Sequence, residues 1–258
     1  MTEQLVLTVD LGAVRVVTLN RPAARNALSR DLMRAAYAAL TAADADESVC
    51  AVVLTGSDPA FCAGVDLKEA ARDGLSYFEE FRAQSCIAAV AKMSTPVIGA
   101  INGATFTGGL EMALGCDFLI ASERAVFADT HARVGILPGG GMTARLPQLV
   151  GAAMARRLSM TGEVVDAARA ERIGLVTEVV AHERLLERAV ELAAQIADVP
   201  RPTMRGLKEI YTTGSSAVTG PALAAEEKIA FAQHRDFDTL DVQFRAVSER
   251  NKEQIRPR

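Results

Sequence analysis

The segment PVIGAINGATFTGGLEMALGCD, residues 96–117, decides how the rest of the chain is read. It begins with a short apolar run, residues 96–101, the pattern of a strand buried on both faces. Asn102-Gly103 breaks the run. Gly108-Gly109 then opens a short helix over residues 110–115. The first turn of a helix holds backbone N–H groups without intrahelical partners, and glycine lets a ligand approach them closely. Glu111 falls in that turn. Two readings are open for it. A glutamate there complements the helix dipole. Among Leu110, Met112, Ala113 and Leu114, however, a carboxylate is an odd choice unless it faces a cavity.

Outward from this segment, the same strand–loop–helix sequence recurs weakly through the first two thirds of the chain. Residues 5–9 alternate as a half-buried strand, and residues 14–19 form a second, so the chain opens on a hairpin. Ser29 caps a helix running to about residue 44. Residues 51–54 read as a buried strand, residues 56–67 as a loop and residues 76–92 as a helix. After the central segment come short strands at 118–121 and 125–127, a glycine loop at 138–141, and helices from about 143, at 152–160 and at 166–173. A last strand covers 175–180. Beyond it only helices are expected, at about 183–197, 203–211, 221–233 and 240–251. This order predicts an α/β core followed by a helical appendage.

Glycine-rich loops at 61–66 and 138–143 also follow expected strands. Alone, each reads as a turn. Neither has the G-x-G-x-x-G spacing of a dinucleotide site, and the chain holds no Walker A motif and no G-x-S-x-G nucleophile elbow.

Composition narrows the function classes. Half of the 258 residues are hydrophobic and 23% are charged, enough for a sizeable core. The net charge of −4 with no basic run leaves nucleic-acid binding without an electrostatic footprint. No apolar stretch is long enough to span a bilayer, and residues 1–10 lack the basic flank and apolar core of a signal peptide. Cys50, Cys62, Cys86 and Cys116 are scattered, with no C-x-x-C pair. That argues against a disulfide framework or zinc site and fits reduced thiols in the cytoplasm.

Four motifs then carry a resemblance. Residues 20–28, Asn-Arg-Pro-Ala-Ala-Arg-Asn-Ala-Leu, resemble the N-R-P-x-x-x-N-A-L opening of the enoyl-CoA hydratase/isomerase (crotonase) family. Phe61-Cys62-Ala63-Gly64-Val65-Asp66-Leu67 resembles that family's F-x-A-G-x-D-[IL] loop. Residues 96–117 are similar to its central P-V-I-A-x-[VI]-N-G-x-x-x-G-G-G-x-E-L-A-x-x-C-D element. Residues 134–141 resemble its L-G-x-x-P-G-x-G. The matches run in order, at family-like spacing, from about residue 20 to residue 180.

The resemblance implies a fold and a chemistry. The fold is an α/β spiral of repeated ββα units, residues 1–198, with a helical C-terminal region, residues 199–258, that assembles a homotrimer or dimer of trimers. The substrate is an acyl-CoA, the only place coenzyme A enters; no separate cofactor and no metal is implied. The backbone N–H groups of Val65 and Gly108 form an oxyanion hole, and Ala63, Gly64, Asp66 and Gly109 belong to the substrate and CoA site. Arg25 meets CoA phosphates or is a solvated surface charge; both readings stand. Hydratases of the family use two glutamates. Glu111 matches the first, and the second position is His131, a departure from the pattern. His131 is either an acid/base or a pocket-lining residue bonded to Asp129 or Glu111. The expected reaction is reversible addition of water to a 2-enoyl-CoA. The alternatives are a weakly catalytic acyl-CoA-binding protein, or another CoA-ester reaction such as isomerisation, decarboxylation or thioester hydrolysis. His182 and His234 are expected in exposed helical settings, without a role.

Overall fold

The computed structural model describes residues 4–232 and 240–255. Residue 233, the expected end of one helix, and His234 lie outside the described residues. The strands are β1 (Val6–Leu11), β2 (Val14–Leu19), β3 (Ala51–Gly56), β4 (Ala60–Cys62), β5 (Val97–Ile101), β6 (Ala104–Phe106), β7 (Phe118–Ser122), β8 (Val126–Ala128), β9 (Val165–Asp166) and β10 (Glu178–Val180). The helices are α1 (Arg30–Ala45), α2 (Leu67–Asp73), α3 (Leu75–Ala83), α4 (Cys86–Lys92), α5 (Gly108–Ala113), α6 (Met142–Val150), α7 (Ala152–Thr161), α8 (Ala167–Arg172), α9 (Leu185–Ala197), α10 (Arg201–Ala232) and α11 (Leu240–Ile255).

Two sheets organise the chain. The larger has the order β1-β2-β3-β5-β7-β10 and the smaller β4-β6-β8-β9. From β2 to β10 the large sheet is parallel, and the small one is parallel across β4, β6 and β8. Each turn of the spiral lays one strand in the large sheet and the next in the small sheet, then a helix: β3-β4-α2, β5-β6-α5, β7-β8-α6.

Burial explains why the central strands read as unbroken apolar runs. Every residue of β3 and β5 is buried. Val52 and Leu54 point into the main core, while Ala51 and Val53 point to the opposite face. That face is covered by α9 through Leu185, Ala189 and Ala193, spaced four apart on one side of the helix. The main core receives Leu32, Met33, Ala36, Leu40 and Ala43 of α1, whose N-terminus is capped by Ser29 Oγ accepting from the Leu32 N–H.

Several expectations are corrected. The strands β4 and β6 lie in segments expected to be loops; three residues are too few to show a period. The helix α2 begins at the last residue of the expected loop 56–67 and runs on to Asp73. Asp66 starts it, accepting from the N–H groups of Lys68 and Glu69. The helix expected at 76–92 is broken at Gln84-Ser85, with Ser85 capping α4. In place of the expected half-burial, β1 is an edge strand whose Leu7, Val9 and Leu11 are exposed. The two helices expected at 203–211 and 221–233 are one helix, α10, with Pro221 inside it. A proline there removes one i→i−4 bond, and the exposed flanks let the helix run on. Among the described residues no helix is long and apolar enough to cross a membrane.

Candidate active site

The small sheet delivers three loops to one place. The turn after β4 brings Ala63, Val65 and Asp66, the end of β6 brings Phe106 and Thr107 ahead of Glu111, and the turn after β8 brings Thr130 and His131. All line one cavity of about 480 Å³. Ile136, Leu137, Gly139, Gly140 and the loop holding Arg21 and Arg25 add to its wall. So do Ala230 and Phe231 of α10 and Val247 and Asn251 of α11, so residues on both sides of position 199 enclose it.

Two backbone donors stand beside it, on Val65, which lines the cavity, and on Gly108, next to the lining residue Thr107. Neither the Val65 nor the Gly108 N–H donates a hydrogen bond within the described residues. They are neighbours: a Cβ placed on Gly108 would lie 3.7 Å from the Val65 nitrogen, and one on Gly64 would lie 3.3 Å from the Gly108 nitrogen. Gly64 is required where it stands. Its φ is +94°, and a Cβ would approach Thr107 Oγ1 to 2.2 Å. Thr107 itself has φ +47° as it turns the chain from β6 into α5. A non-glycine residue in this region is uncommon and strained, and such strain clusters at functional turns. Here it sets the first N–H of α5 beside the N–H of Val65.

Glu111 and His131 are brought together. Both are buried, and Glu111 Oε2 lies 3.7 Å from His131 Nε2. The other carboxylate oxygen of Glu111 accepts from the N–H groups of Gly140 at 2.7 Å and Met142 at 3.3 Å. His131 Nδ1 bonds Asp129 Oδ1 at 2.7 Å, and its backbone N–H donates to the same oxygen at 3.2 Å. Asp129, His131 and Glu111 thus form a buried row, acid–imidazole–acid.

The environment moves their protons. Burial raises the Glu111 carboxyl above the ordinary glutamate value, with the charge of Glu226 adding to it; His131 and the two backbone donors oppose this without reversing it. Burial alone would lower His131, but Glu111 and Asp129 outweigh it and hold the imidazole above its ordinary value. Burial would also raise Asp129, yet the hydrogen bond and charge of His131 keep it below the usual range.

The remaining positions singled out in the sequence divide. Arg25 is exposed on the cavity wall, in the left-handed region at φ +52°, and its carbonyl accepts from Ala63. Asp66 touches the cavity, but its carboxylate is occupied: it caps α2 and pairs with Arg21 at 2.6 Å. Gly109 stands behind the wall. A Cβ there would come within 2.1 Å of the Cys62 carbonyl, so its missing side chain lets α5 close onto β4. Asn26 is fully buried and stitches the loop at 20–28 to the next turn, donating to the Ser57 and Ala60 carbonyls and accepting from the Arg21 N–H. His182 is away from the cavity. Its expected exposure is corrected: it is half-buried between Ser122 Oγ at 2.9 Å and Asp58 Oδ2 at 3.0 Å. Among the described residues no cluster of three His, Cys, Asp or Glu side chains could hold a metal ion.

One buried group at the site leaves no signal in the sequence. Glu226, on α10, accepts from the N–H groups of Gly141 at 2.6 Å and Thr143 at 2.7 Å and from the Thr143 hydroxyl. No local pattern links it to residues 85 positions away.

Comparison with known proteins agrees with this architecture. A family profile described as Enoyl-CoA hydratase/isomerase matches residues 11–254. A probable enoyl-CoA hydratase of Rhizobium meliloti is 42% identical over 231 residues, 89% of each chain. A crotonyl-CoA hydratase of Syntrophomonas wolfei is 39% identical over 216 residues, 82% of each. The crystal structure of an enoyl-CoA hydratase from Mycobacterium tuberculosis H37Rv superposes with a TM-score of 0.80 at 47% identity, covering 91% of this chain and 99% of that one.

Proposed function

The chain belongs to the enoyl-CoA hydratase/isomerase family, and from that premise we propose that it is an enoyl-CoA hydratase that adds water reversibly across the double bond of a 2-enoyl-CoA. The observation that carries the reading is the gathering, around one cavity, of two neighbouring unpartnered N–H groups and a buried carboxylate–imidazole pair.

The mechanism is set by the charges that develop. The thioester oxygen sits between the Val65 and Gly108 N–H groups. As water adds to Cβ, negative charge moves onto that oxygen, and fixed donors stabilise it more than the neutral carbonyl. Glu111 Oε2 takes the proton from the water. Protonated His131, with Nδ1–H held by Asp129, gives its Nε2 proton to Cα as the enolate collapses. Glu111 then returns its proton to His131, across the 3.7 Å that separates them, and the site is reset. Dehydration runs the same steps backwards. Every group in this sequence belongs to the chain or to the substrate. Ala63 lines the wall where the CoA moiety passes, Gly64 makes the tight turn behind it, and Arg25, exposed at its edge, suits the CoA phosphates.

Residues 199–258 are the oligomerising region in this reading. Leu207, Ile210, Tyr211 and Val218 lie along one side of α10 and are 46–73% exposed in the single chain. A homotrimer or dimer of trimers would bury them. Four free cysteines, two of them buried, suit a reducing compartment, and the cytoplasm is the proposed location.

The test is turnover of crotonyl-CoA followed by loss of the enoyl thioester absorbance, with the product identified. Formation of the 3-hydroxyacyl-CoA supports the reading. Binding without turnover across several chain lengths would overturn it in favour of an acyl-CoA-binding protein, the alternative that His131 keeps open. A different product would assign another CoA-ester reaction.

A further inference from the structure

Four consecutive backbone N–H groups at the start of α6 are shared alternately between two carboxylates. Gly140 and Met142 donate to Glu111, at 2.7 and 3.3 Å, while Gly141 and Thr143 donate to Glu226, at 2.6 and 2.7 Å. The Thr143 hydroxyl adds a third bond to Glu226. Both carboxylates are nearly out of contact with solvent, Glu111 at 2% and Glu226 at 7% exposure. The segment is fixed from its carbonyl side as well, since Arg145 Nη1 donates to Gly140 O at 2.7 Å. It has little freedom: a Cβ on Gly140 would stand 2.6 Å from Glu111 Oε2.

Glu111 has one oxygen committed to this segment and one facing His131. Where the segment sits decides where the free oxygen sits. Glu226 ties the segment to α10 by these hydrogen bonds, and α10 carries the exposed apolar face described above. We propose that Glu226 is a positioning residue for Glu111: it anchors residues 140–143 and so sets the aim of the Glu111 oxygen that meets the substrate. The inference rests on the acid/base reading of Glu111. Glu226 is buried, with both carboxylate oxygens hydrogen-bonded, yet lies outside the cavity lining, so it touches no substrate and reaches the reaction through that segment and through its charge on Glu111. Misplacement of a reacting group by about 1 Å can cost roughly a hundredfold in rate.

Charge gives the proposal a readout that a purely structural role would not move. The charged groups facing Glu111 are His131 from the turn after β8, Arg145 from α6 and Glu226 from α10, with Asp129 behind His131. Glu226 adds to the burial that raises the Glu111 carboxyl. In Glu226→Gln that contribution is gone. The acid limb of kcat/KM, which reports Glu111 losing its proton, moves to lower pH.

The experiment measures kcat, KM and the pH profile with crotonyl-CoA, binding of butyryl-CoA, and hydrogen exchange across residues 139–143. Four variants are compared with the parent: Glu226→Gln, Glu226→Asp, Thr143→Val and Glu111→Gln. The proposal expects Glu226→Gln to lose about tenfold or more in kcat. Its butyryl-CoA binding stays within about threefold, the acid limb shifts down and exchange over residues 139–143 speeds up. Glu226→Asp, which keeps the charge and shortens the reach, loses kcat without moving the acid limb. Thr143→Val shows a smaller loss of kcat. A kcat for Glu226→Gln within twofold of the parent overturns the proposal, as does a loss of kcat matched by loss of binding with an unmoved pH profile. If Glu226→Gln does not fold, parent-like kinetics in both Glu226→Asp and Thr143→Val overturn it. Parent-level turnover by Glu111→Gln would instead remove the acid/base reading. The anchoring then stands or falls on exchange alone, supported by faster exchange in Glu226→Gln and overturned by none.

Discussion

Asp129 Oδ1 accepts from both the ring Nδ1 and the backbone N–H of His131, at 2.7 and 3.2 Å, and this fixes which nitrogen the imidazole offers to the cavity. With Nδ1 protonated and held, only Nε2 faces Glu111. Asp129→Asn should therefore reduce crotonyl-CoA turnover more than binding. The sign of its pH effect comes from the charges. The carboxylate of Asp129 helps hold the His131 imidazole above its ordinary value. Protonated His131 is the donor to Cα, so activity falls as pH rises through its titration. Removing the Asp129 charge lowers that titration and shifts the basic limb of the kcat profile to lower pH. A profile unchanged in its basic limb would mean that His131 does not donate the proton.

Glu111→Gln should lower kcat by about 10²–10⁴-fold while leaving acyl-CoA affinity within about threefold. The amide oxygen can still accept from the Gly140 N–H, so the segment that holds the parent side chain stays in place. What is lost is the base that draws the proton from water. Titration with butyryl-CoA separates the two effects. Near-normal kcat on the best substrate would rule out Glu111 as the base.

The cavity-forming loops are legible in the sequence because their residue types are forced by backbone geometry. Gly64 has no room for a Cβ beside Thr107, and Gly109 none beside the Cys62 carbonyl. Such positions leave a mark in one dimension. The strands β3 and β5 are legible for a related reason, since burial on both faces demands continuous apolar runs. What stays hidden depends on distance along the chain. Nothing in Glu226, one of two adjacent glutamates on a largely exposed helix, signals that it bonds Gly141 and Thr143. The unity of α10 is hidden by Gly214, Gly220 and Pro221, residues that discourage helix locally but do not end it. The start of α2 does carry a local signal, since Asp66 before Leu67, Lys68 and Glu69 is a good N-cap.

The exposed side of α10 predicts assembly. Light scattering at micromolar concentration should give three or six times the chain mass. Ile210, 71% exposed in the single chain, lies on that side, and Ile210→Glu should shift the population toward smaller species. A parent protein that is monomeric under these conditions would contradict the trimer, and an unchanged mass in Ile210→Glu would place the interface elsewhere.

Restoring a glutamate at position 131 tests the departure from the family pattern directly, and the structure changes what the test must contain. A second carboxylate opposite Glu111 would recreate the pair that the family's hydratases use. In a nearly dry site one of the two would keep its proton more readily and could supply Cα. His131, however, is also the partner of Asp129, which is buried at 2% exposure. His131→Glu alone would set three carboxylates together and leave Asp129 without its imidazole. Breaking a buried pair by removing one partner costs about 3–5 kcal/mol. The single variant should therefore melt well below the parent and turn over poorly. Asp129→Asn combined with His131→Glu removes the stranded charge. It should recover most of the lost melting temperature and hydrate crotonyl-CoA about tenfold or more faster than the single variant, within the range general acid–base assistance supplies. Thermal melts and initial rates on the two variants decide the matter. Equal rates and equal stabilities would show that Asp129 is not what ties position 131 to histidine.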